Sequence, residues 1–181
     1  MMTIYISLIR GINVGGKKFL MTDLKYLYTS MGFEGVKSYI KSGNIIFKSA
    51  KGNIKEFEED IENEIQKSHN QQVAVLIRTL DEFKKIIHSN PFFEEDIGKL
   101  YVTFLKEKPD QTPKDMIDQK KEAFERFQII GKEIYLYLPN GYGRTKINNN
   151  FLEKQFNLKA TTRNWRTVTR LYELAKELNK N

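Results

Sequence analysis

Short apolar runs alternate with longer amphipathic segments along the chain, and this order occurs twice. In the first half, strand-like runs lie at residues 4–9, 36–41, 45–47 and 73–78. Segments with apolar residues at helical spacing lie between and after them, at residues 22–31, 53–65 and 79–87. Spacings of three and four residues indicate helices with one buried face, whereas runs rich in β-branched residues indicate strands.

The second half repeats the order of these elements. Strand-like runs lie at residues 100–105, 127–130, 134–138 and 158–161. Helical segments begin near Thr112 and after residue 143, and a last helix begins at Arg163. We predict an α+β protein of two ferredoxin-like βαββαβ units packed together, with an additional C-terminal helix. The first unit would span residues 1–90 and the second 98–181, joined by a linker at 91–97, and the pair can behave as one compact domain.

Capping residues place the predicted helix starts. We expect N-caps at Thr22, Asn53, Thr79 and Thr112, and at Thr161 or Thr162 for the last helix. Pro113 would then occupy the first helical position after Thr112.

The composition is that of a folded protein without cysteine. Hydrophobic residues make up 40% of the 181 residues, and the absence of Cys excludes disulfides and thiol chemistry. No apolar run approaches 18 residues and no secretory signal is visible, so we expect a cytoplasmic protein without a membrane span. No motif indicates a cofactor.

The positive charge is concentrated at the two ends of the chain. The net charge is +7, with +5 in residues 1–48, −4 in residues 49–139 and +6 in residues 140–181. If the fold brought the ends together, they would form a positive face that attracts phosphates or nucleic acid. The alternative is a solvated surface that only aids solubility.

The first candidate site is the glycine loop, residues 10–18, which follows the first strand. It contains Arg10, Asn13, Gly15, Gly16 and Lys17, and glycines flanked by cations can cradle an anion. Its first seven positions from Gly11 also match a P-loop, but Lys18 stands where that motif needs Ser or Thr for magnesium. A phosphate contact without triphosphate chemistry and a purely structural loop remain as the two interpretations.

Three further groups carry polar chemistry. Arg163, Asn164 and Arg166 would lie at the start of the last helix, where cations oppose the macrodipole and a bound anion would compensate. Ser42 and Asn44 flank a predicted tight turn, and Lys146 precedes a run of asparagines. The structural alternatives are ion pairs with the acidic middle segment, a turn that needs such residues anyway, and a polar helix start.

Other features of the sequence give weaker hypotheses. Tyr135 and Tyr137 could stack nucleobases if one sheet face were open. Phe92 and Phe93 could form a docking tip or a plug over the core. The two histidines show no metal-ligand spacing and the chain has no nucleophile elbow, so no metal site is expected and the catalytic residues stay unknown.

Several of these segments resemble one family. The chain is similar to the bacterial domain-of-unknown-function 1697 family in LIRGINVGGK at 8–17, YIKSGNIIF at 39–47, ATTRNWRTV at 160–168 and TKINN at 145–149. The resemblance implies paired ferredoxin-like units and a bacterial cytoplasmic protein. It implies no activity, because the family is named for lacking one.

Taken together, the sequence favours one anionic site built from distant segments. The glycine loop, the turn at 42–44 and the start of the last helix would pool their positive charge around a phosphate-bearing ligand, nucleic acid or nucleotide. An enzyme acting on a small phosphorylated or carboxylated metabolite is the alternative, and a third is a scaffold whose glycines only form turns.

Overall fold

A computed structural model of the protein describes residues 2–13, 19–50 and 52–180. The described chain forms two compact units, Met1–Lys84 with Arg170–Asn181, and Lys85–Thr169. Gly15, Gly16 and Lys17 of the predicted site lie outside the described residues.

The first unit contains a four-stranded antiparallel sheet. Its strands are β1 (Thr3–Arg10), β2 (Glu34–Tyr39), β3 (Asn44–Ser49) and β4 (Ala74–Thr79). Its helices are α1 (Met21–Ser30), α2 (Ile54–His69) and the first residues of α3 (Leu80–His88). The spatial order β2-β3-β1-β4, with α1 after β1 and α2 after β3, is that of a ferredoxin-like unit, as predicted.

Strand alternation explains the core of this unit. Tyr5 and Ile9 of β1 project to the face covered by α1 and α2, and Tyr5 stacks on Phe47 of β3 with ring centroids 5.3 Å apart. Phe57 of α2 meets Tyr5 edge-on at the same centroid distance. These buried aromatic contacts join β1, β3 and α2 in the core of the unit.

On the edge of β4 that pairs with no strand, backbone N–H groups donate to carboxylates. The Val75 and Ile77 N–H groups donate to Glu62 Oε1 and Glu58 Oε1 of α2, at 2.7 and 2.8 Å. The Thr79 N–H donates in the same way to Glu82 Oε2 of α3 at 2.8 Å. Alternate donors of an edge strand are thereby satisfied without a fifth strand.

The second unit repeats this architecture. Its strands are β5 (Leu100–Leu105), β6 (Arg126–Ile130), β7 (Glu133–Tyr137) and β8 (Ala160–Asn164), in the order β6-β7-β5-β8. Its helices are α4 (Lys114–Lys120) and α5 (Asn149–Phe156), followed by α6 (Trp165–Asn179), whose residues from Arg170 onward belong to the first unit. Its core includes Leu105, Ile117, Leu136 and Leu152.

The structure confirms some predicted helix starts and corrects others. Asn53 caps α2 by accepting from the Lys55 and Glu56 N–H groups, and Thr79 Oγ1 accepts from the Glu82 N–H. The prediction for Thr22 is wrong, because α1 begins at Met21 after Leu20, without a side-chain cap. The Thr112 cap is also wrong, since Pro113 itself precedes the first helical residue.

The start of the last helix was also predicted wrongly. Thr161 and Arg163 lie in β8, which pairs with β5, and α6 begins only at Trp165. Asn164 is the residue that caps it, because its Oδ1 accepts from the Thr167 N–H at 2.8 Å.

Among the described helices, none has the length and apolar character needed to cross a membrane.

Candidate functional site

One side chain, Asn13, joins the glycine loop to the turn between β2 and β3. Its Nδ2 donates to the Lys41 carbonyl at 2.8 Å, and its Oδ1 accepts from the Phe19 N–H. Asn13 has a φ of +58°, a left-handed conformation that Asn adopts more readily than most residues. The Asn13 side chain therefore links the segment after β1 to Phe19, two residues before α1, and to the β2–β3 turn.

Gly43 brings the same turn against the end of β1. Its carbonyl accepts from the Ile9 N–H at 2.8 Å. A Cβ at Gly43 would lie 2.5 Å from Ile12 Cγ2 and 3.0 Å from Ile9 Cβ, and its φ is +73°. Only glycine permits both this conformation and this approach.

The β2–β3 turn is organised from within by Asn44. This fully buried residue donates from Nδ2 to the Tyr39 carbonyl at 3.0 Å and to Ser42 Oγ at 2.9 Å. Between them, Ile40 has a φ of +51°, although it is β-branched and exposed. Such a backbone is costly for isoleucine, and the surrounding hydrogen bonds hold it.

These segments enclose a groove of about 750 Å³ within the first unit. Its described lining residues are Ile12, Asn13, Phe19, Leu20, Met21, Thr22, Ile40, Lys41 and Ser42. The walls are mainly apolar, and polar groups come from Asn13, Thr22 and Ser42. Lys41 is the charged residue among these nine, and it is exposed.

The side of the groove that leads into α1 is held in place by a buried aromatic contact. Phe19 is buried, and its ring contacts the imidazole of His69 at the end of α2 with centroids 3.9 Å apart. Leu20 follows it and is 60% exposed, so consecutive residues supply an anchor and an open apolar surface.

The groove has the chemistry of a binding site. The Lys41 ammonium group and the Thr22 and Ser42 hydroxyls can hold an anion, and the start of α1 adds the favourable end of a helix dipole. The nine described lining residues include no carboxylate and no imidazole, so they supply no acid–base pair.

Of the site residues predicted in the first unit, some line the groove and others do not. Asn13 and Ser42 line the groove together, whereas Asn44 is buried beneath the turn. Arg10 ends β1 opposite Ala74 of β4, and by strand alternation its side chain lies on the sheet face opposite to that of Ile9. Arg10 is not among the residues that line the groove.

Two of the predicted site residues of the second unit, Arg163 and Asn164, have local partners. Arg163 Nη1 donates to Thr161 Oγ1 at 2.7 Å and to the Thr162 carbonyl at 3.1 Å, while Asn164 caps α6. Because Arg163 lies in a strand, the argument that it opposes a helix dipole does not apply to it. Arg166 is exposed in the first turn of α6.

Lys146 forms an exposed ion pair with Glu122, with Nζ 2.8 Å from Oε1. The hydrogen bond and the charge of Lys146 hold the pKa of Glu122 below its usual value, and Glu122 raises the pKa of Lys146 in return. Of the asparagines that follow, Asn148 caps α5 by accepting from the Phe151 N–H at 3.1 Å.

The structure excludes base stacking on Tyr135. Its ring is buried, and its hydroxyl donates to the Ile86 carbonyl at 2.9 Å. Burial raises the pKa of Tyr135. Tyr137 instead packs near Phe92, with the guanidinium carbon of Arg126 4.6 Å from its ring centroid.

Sequence reasoning missed the apolar walls of the groove. The sequence pattern assigns Ile40 to a strand and gives Leu20 and Met21 no role, although all three line the groove. The available signal was an isoleucine directly before the polar turn at residues 41–44, where a hairpin usually carries polar residues. A periodicity argument assigns such an isoleucine to the core and overlooks its exposure.

The described residues form an α+β protein of two ferredoxin-like units with a concave groove in the first. Residues 2–135 match the family described as "Protein of unknown function (DUF1697)", and the chain belongs to this family. A solved structure, that of conserved bacterial protein SP0830 from Streptococcus pneumoniae, is similar to it with a TM-score of 0.72 and 25% identity. The similarity covers 97% of this chain and 99% of the other. A comparison with curated proteins finds no match.

Proposed function

We propose that the protein binds a small anionic, phosphate-bearing ligand in the groove between Ile12 and Asn13, the start of α1 and the β2–β3 turn. One observation carries the proposal. Exposed Lys41 and the Ser42 hydroxyl lie next to each other on a concave surface, and the described lining of this surface has no carboxylate. An ammonium group and neutral donors at one site favour a phosphate.

The size of the groove supports a small molecule over an extended nucleic acid. Small-ligand pockets typically measure about 300–1,000 Å³, and this groove is about 750 Å³. Nucleic-acid binding relies on many phosphate contacts, whereas the described lining offers Lys41 as its cation. Nucleic acid therefore becomes the alternative outcome of the test.

An enzyme acting on the same ligand has less support. The described lining has no carboxylate or imidazole to move a proton, so the arrangement supports binding. The bacterial origin and cytoplasmic location stay predictions from the sequence.

The proposal can be tested by titrating the protein with inorganic phosphate, ATP or a single-stranded DNA oligonucleotide and monitoring the amide resonances by NMR. We expect the Ser42 and Leu20 amides to shift with phosphate and with ATP, and both affinities to fall as salt rises from about 50 to 200 mM. Lys41→Glu should abolish the shifts. Lys55→Glu, on exposed α2 surface outside the groove, should leave them unchanged.

Two results would overturn the proposal. One is equal binding by wild type and Lys41→Glu, and the other is the absence of phosphate-dependent shifts at the groove. Binding of DNA far more tightly than ATP would instead favour the nucleic-acid alternative.

A further inference from the structure

We infer that the ligand of this groove carries an aliphatic chain beside its phosphate, and that its class is a soluble alkyl phosphomonoester rather than a nucleotide. This inference rests on the proposed phosphate site and concerns the part of the ligand beyond the phosphate. It follows from the apolar walls, from the lack of an open aromatic face among the described lining residues, and from the backbone of Ile40.

The groove presents aliphatic surface to solvent from two directions. Leu20, before α1, is 60% exposed, and Ile40, in the β2–β3 turn, is 49% exposed. Single exposed apolar residues are ordinary, but these two line the same groove together with Met21 and Ile12. An aliphatic chain lying between them would remove this surface from water.

The same walls are poorly suited to a nucleobase. Proteins hold bases by stacking on aromatic faces and by hydrogen bonds to base edges. Phe19 is the aromatic residue among the described lining, but it is 4% exposed and its ring is covered by His69. A base would therefore meet aliphatic side chains.

The backbone of Ile40 is an independent argument. Its left-handed φ of +51° disfavours a β-branched side chain, and Asn or Gly would adopt this conformation at lower cost. The side chain is half exposed, so core packing does not account for the isoleucine. Strain at an exposed apolar residue in a groove points to a role in contact with a ligand.

The charge pattern places the two halves of such a ligand. Lys41 directly follows Ile40, so one turn presents a cation and an aliphatic group side by side. With Ser42 next in sequence, the phosphate would lie at the turn and the chain would extend towards Leu20. A short alkyl chain suits a groove of about 750 Å³ that opens within one unit.

The test is calorimetric titration of the full chain with butyl, hexyl and octyl phosphate below their micelle concentrations, and with AMP. Because each buried methylene is worth about 0.8 kcal/mol, each two-carbon extension should raise affinity by up to about 15-fold. AMP should bind no more tightly than butyl phosphate. A flat chain-length series, or AMP tighter than hexyl phosphate, would overturn the inference.

Variants separate the aliphatic wall from the phosphate site. Leu20→Ser and Ile40→Asn should flatten the chain-length series while keeping the affinity for butyl phosphate, and asparagine tolerates the backbone at position 40. Tyr26→Ser, which removes a 76% exposed ring of α1 outside the groove, should leave the series unchanged. An unaltered series in both wall variants would contradict the inference.

Lys41→Gln should lower the affinity for every phosphate ligand by a similar factor. If none of the phosphates, inorganic phosphate included, binds to wild type, the proposed function fails together with the inference. If phosphate and AMP bind but chain length has no effect, the inference alone fails. Phosphatidic acid vesicles provide the last arm, and binding to them without binding of monomeric octyl phosphate would overturn the assignment to a soluble ligand.

Discussion

The side-chain amide of Asn13 donates to the main-chain carbonyl of Lys41 across 2.8 Å, linking residues 28 positions apart in sequence. The bond ties the glycine loop to the turn that carries Lys41, the cation among the described residues that line the groove. The same side chain accepts from the Phe19 N–H, so the two ends of the loop are also joined. Asn13 therefore contacts both of the segments that face each other across the groove.

Replacing Asn13 with alanine should destabilise the fold and loosen the turn. The variant loses two hydrogen bonds, each worth about 0.5–1.5 kcal/mol net, and places alanine in a left-handed conformation that costs about 1 kcal/mol or more. We expect the free energy of unfolding to fall by about 2–3 kcal/mol in urea denaturation. The amide resonances of Lys41 and Ser42 should move at the same time.

Asn13→Gly is the matched control for this prediction. Glycine keeps the left-handed backbone and loses the amide group, so its cost should be smaller than that of Asn13→Ala while the turn resonances still move. Unchanged Lys41 and Ser42 amides in both variants would show that Asn13 does not hold the turn.

Gly43 should tolerate alanine much less well than Gly32 does. Both have a positive φ, +73° and +85°, so both substitutions carry a similar backbone cost. Only at Gly43 would the new Cβ meet atoms of Ile9 and Ile12, whereas the space around Gly32 is open. The collision should add about 1–3 kcal/mol to the loss of unfolding free energy of Gly43→Ala. Equal losses in urea for the two variants would contradict the close approach.

Much of the fold follows from the sequence because its elements are locally consistent. The apolar run of β1 and the caps Asn53 and Thr79 each predict one structure, and their order leads to two ferredoxin-like units. The last helix was placed wrongly because Thr161 and Thr162 are good caps and good strand residues at once. Pairing of β8 with β5, a long-range interaction, decides between these two structures.

The candidate site was less accessible to sequence reasoning than the fold. Asn13 and Ser42 were selected from their chemistry, and the structure places both at one groove. Ile40 was missed because its proposed role depends on exposure and on a positive φ, and neither can be seen in a run of apolar residues. Whether Gly15, Gly16 and Lys17 contribute to the site stays a prediction.

The ion pair between Lys146 and Glu122 should give a small dependence of stability on pH. Because the folded pKa of Glu122 is lowered, its contribution is present above the unfolded value near 4.5 and is lost as pH falls through the folded pKa. Because the folded pKa of Lys146 is raised, its contribution is present below the unfolded value near 10.5 and is lost as pH rises through the folded pKa.

Lys146→Gln tests this pair directly. NMR titration of the Glu122 carboxyl should show its pKa rising towards the usual value in the variant, and high salt should narrow the difference from wild type because the pair is exposed. Lys154→Gln, an exposed lysine of α5, should leave the titration of Glu122 unaltered. The same Glu122 pKa in wild type and Lys146→Gln would mean that the pair does not persist in solution.

The carboxylate of Glu58 should contribute more to the free energy of unfolding than the carboxylates on the exposed face of α2. It is buried and accepts from the Ile77 N–H at the edge of β4, so Glu58→Ala leaves that donor without its carboxylate in a dry environment. Such a loss costs about 1–3 kcal/mol, and hydrogen exchange at the Ile77 amide should accelerate. Glu58→Gln keeps an oxygen acceptor and should recover most of the loss, whereas Glu59→Ala, on the exposed face of α2, should change unfolding free energy by less than about 0.5 kcal/mol. If Glu58→Ala and Glu59→Ala unfold at the same urea concentration, the carboxylate does not protect this edge.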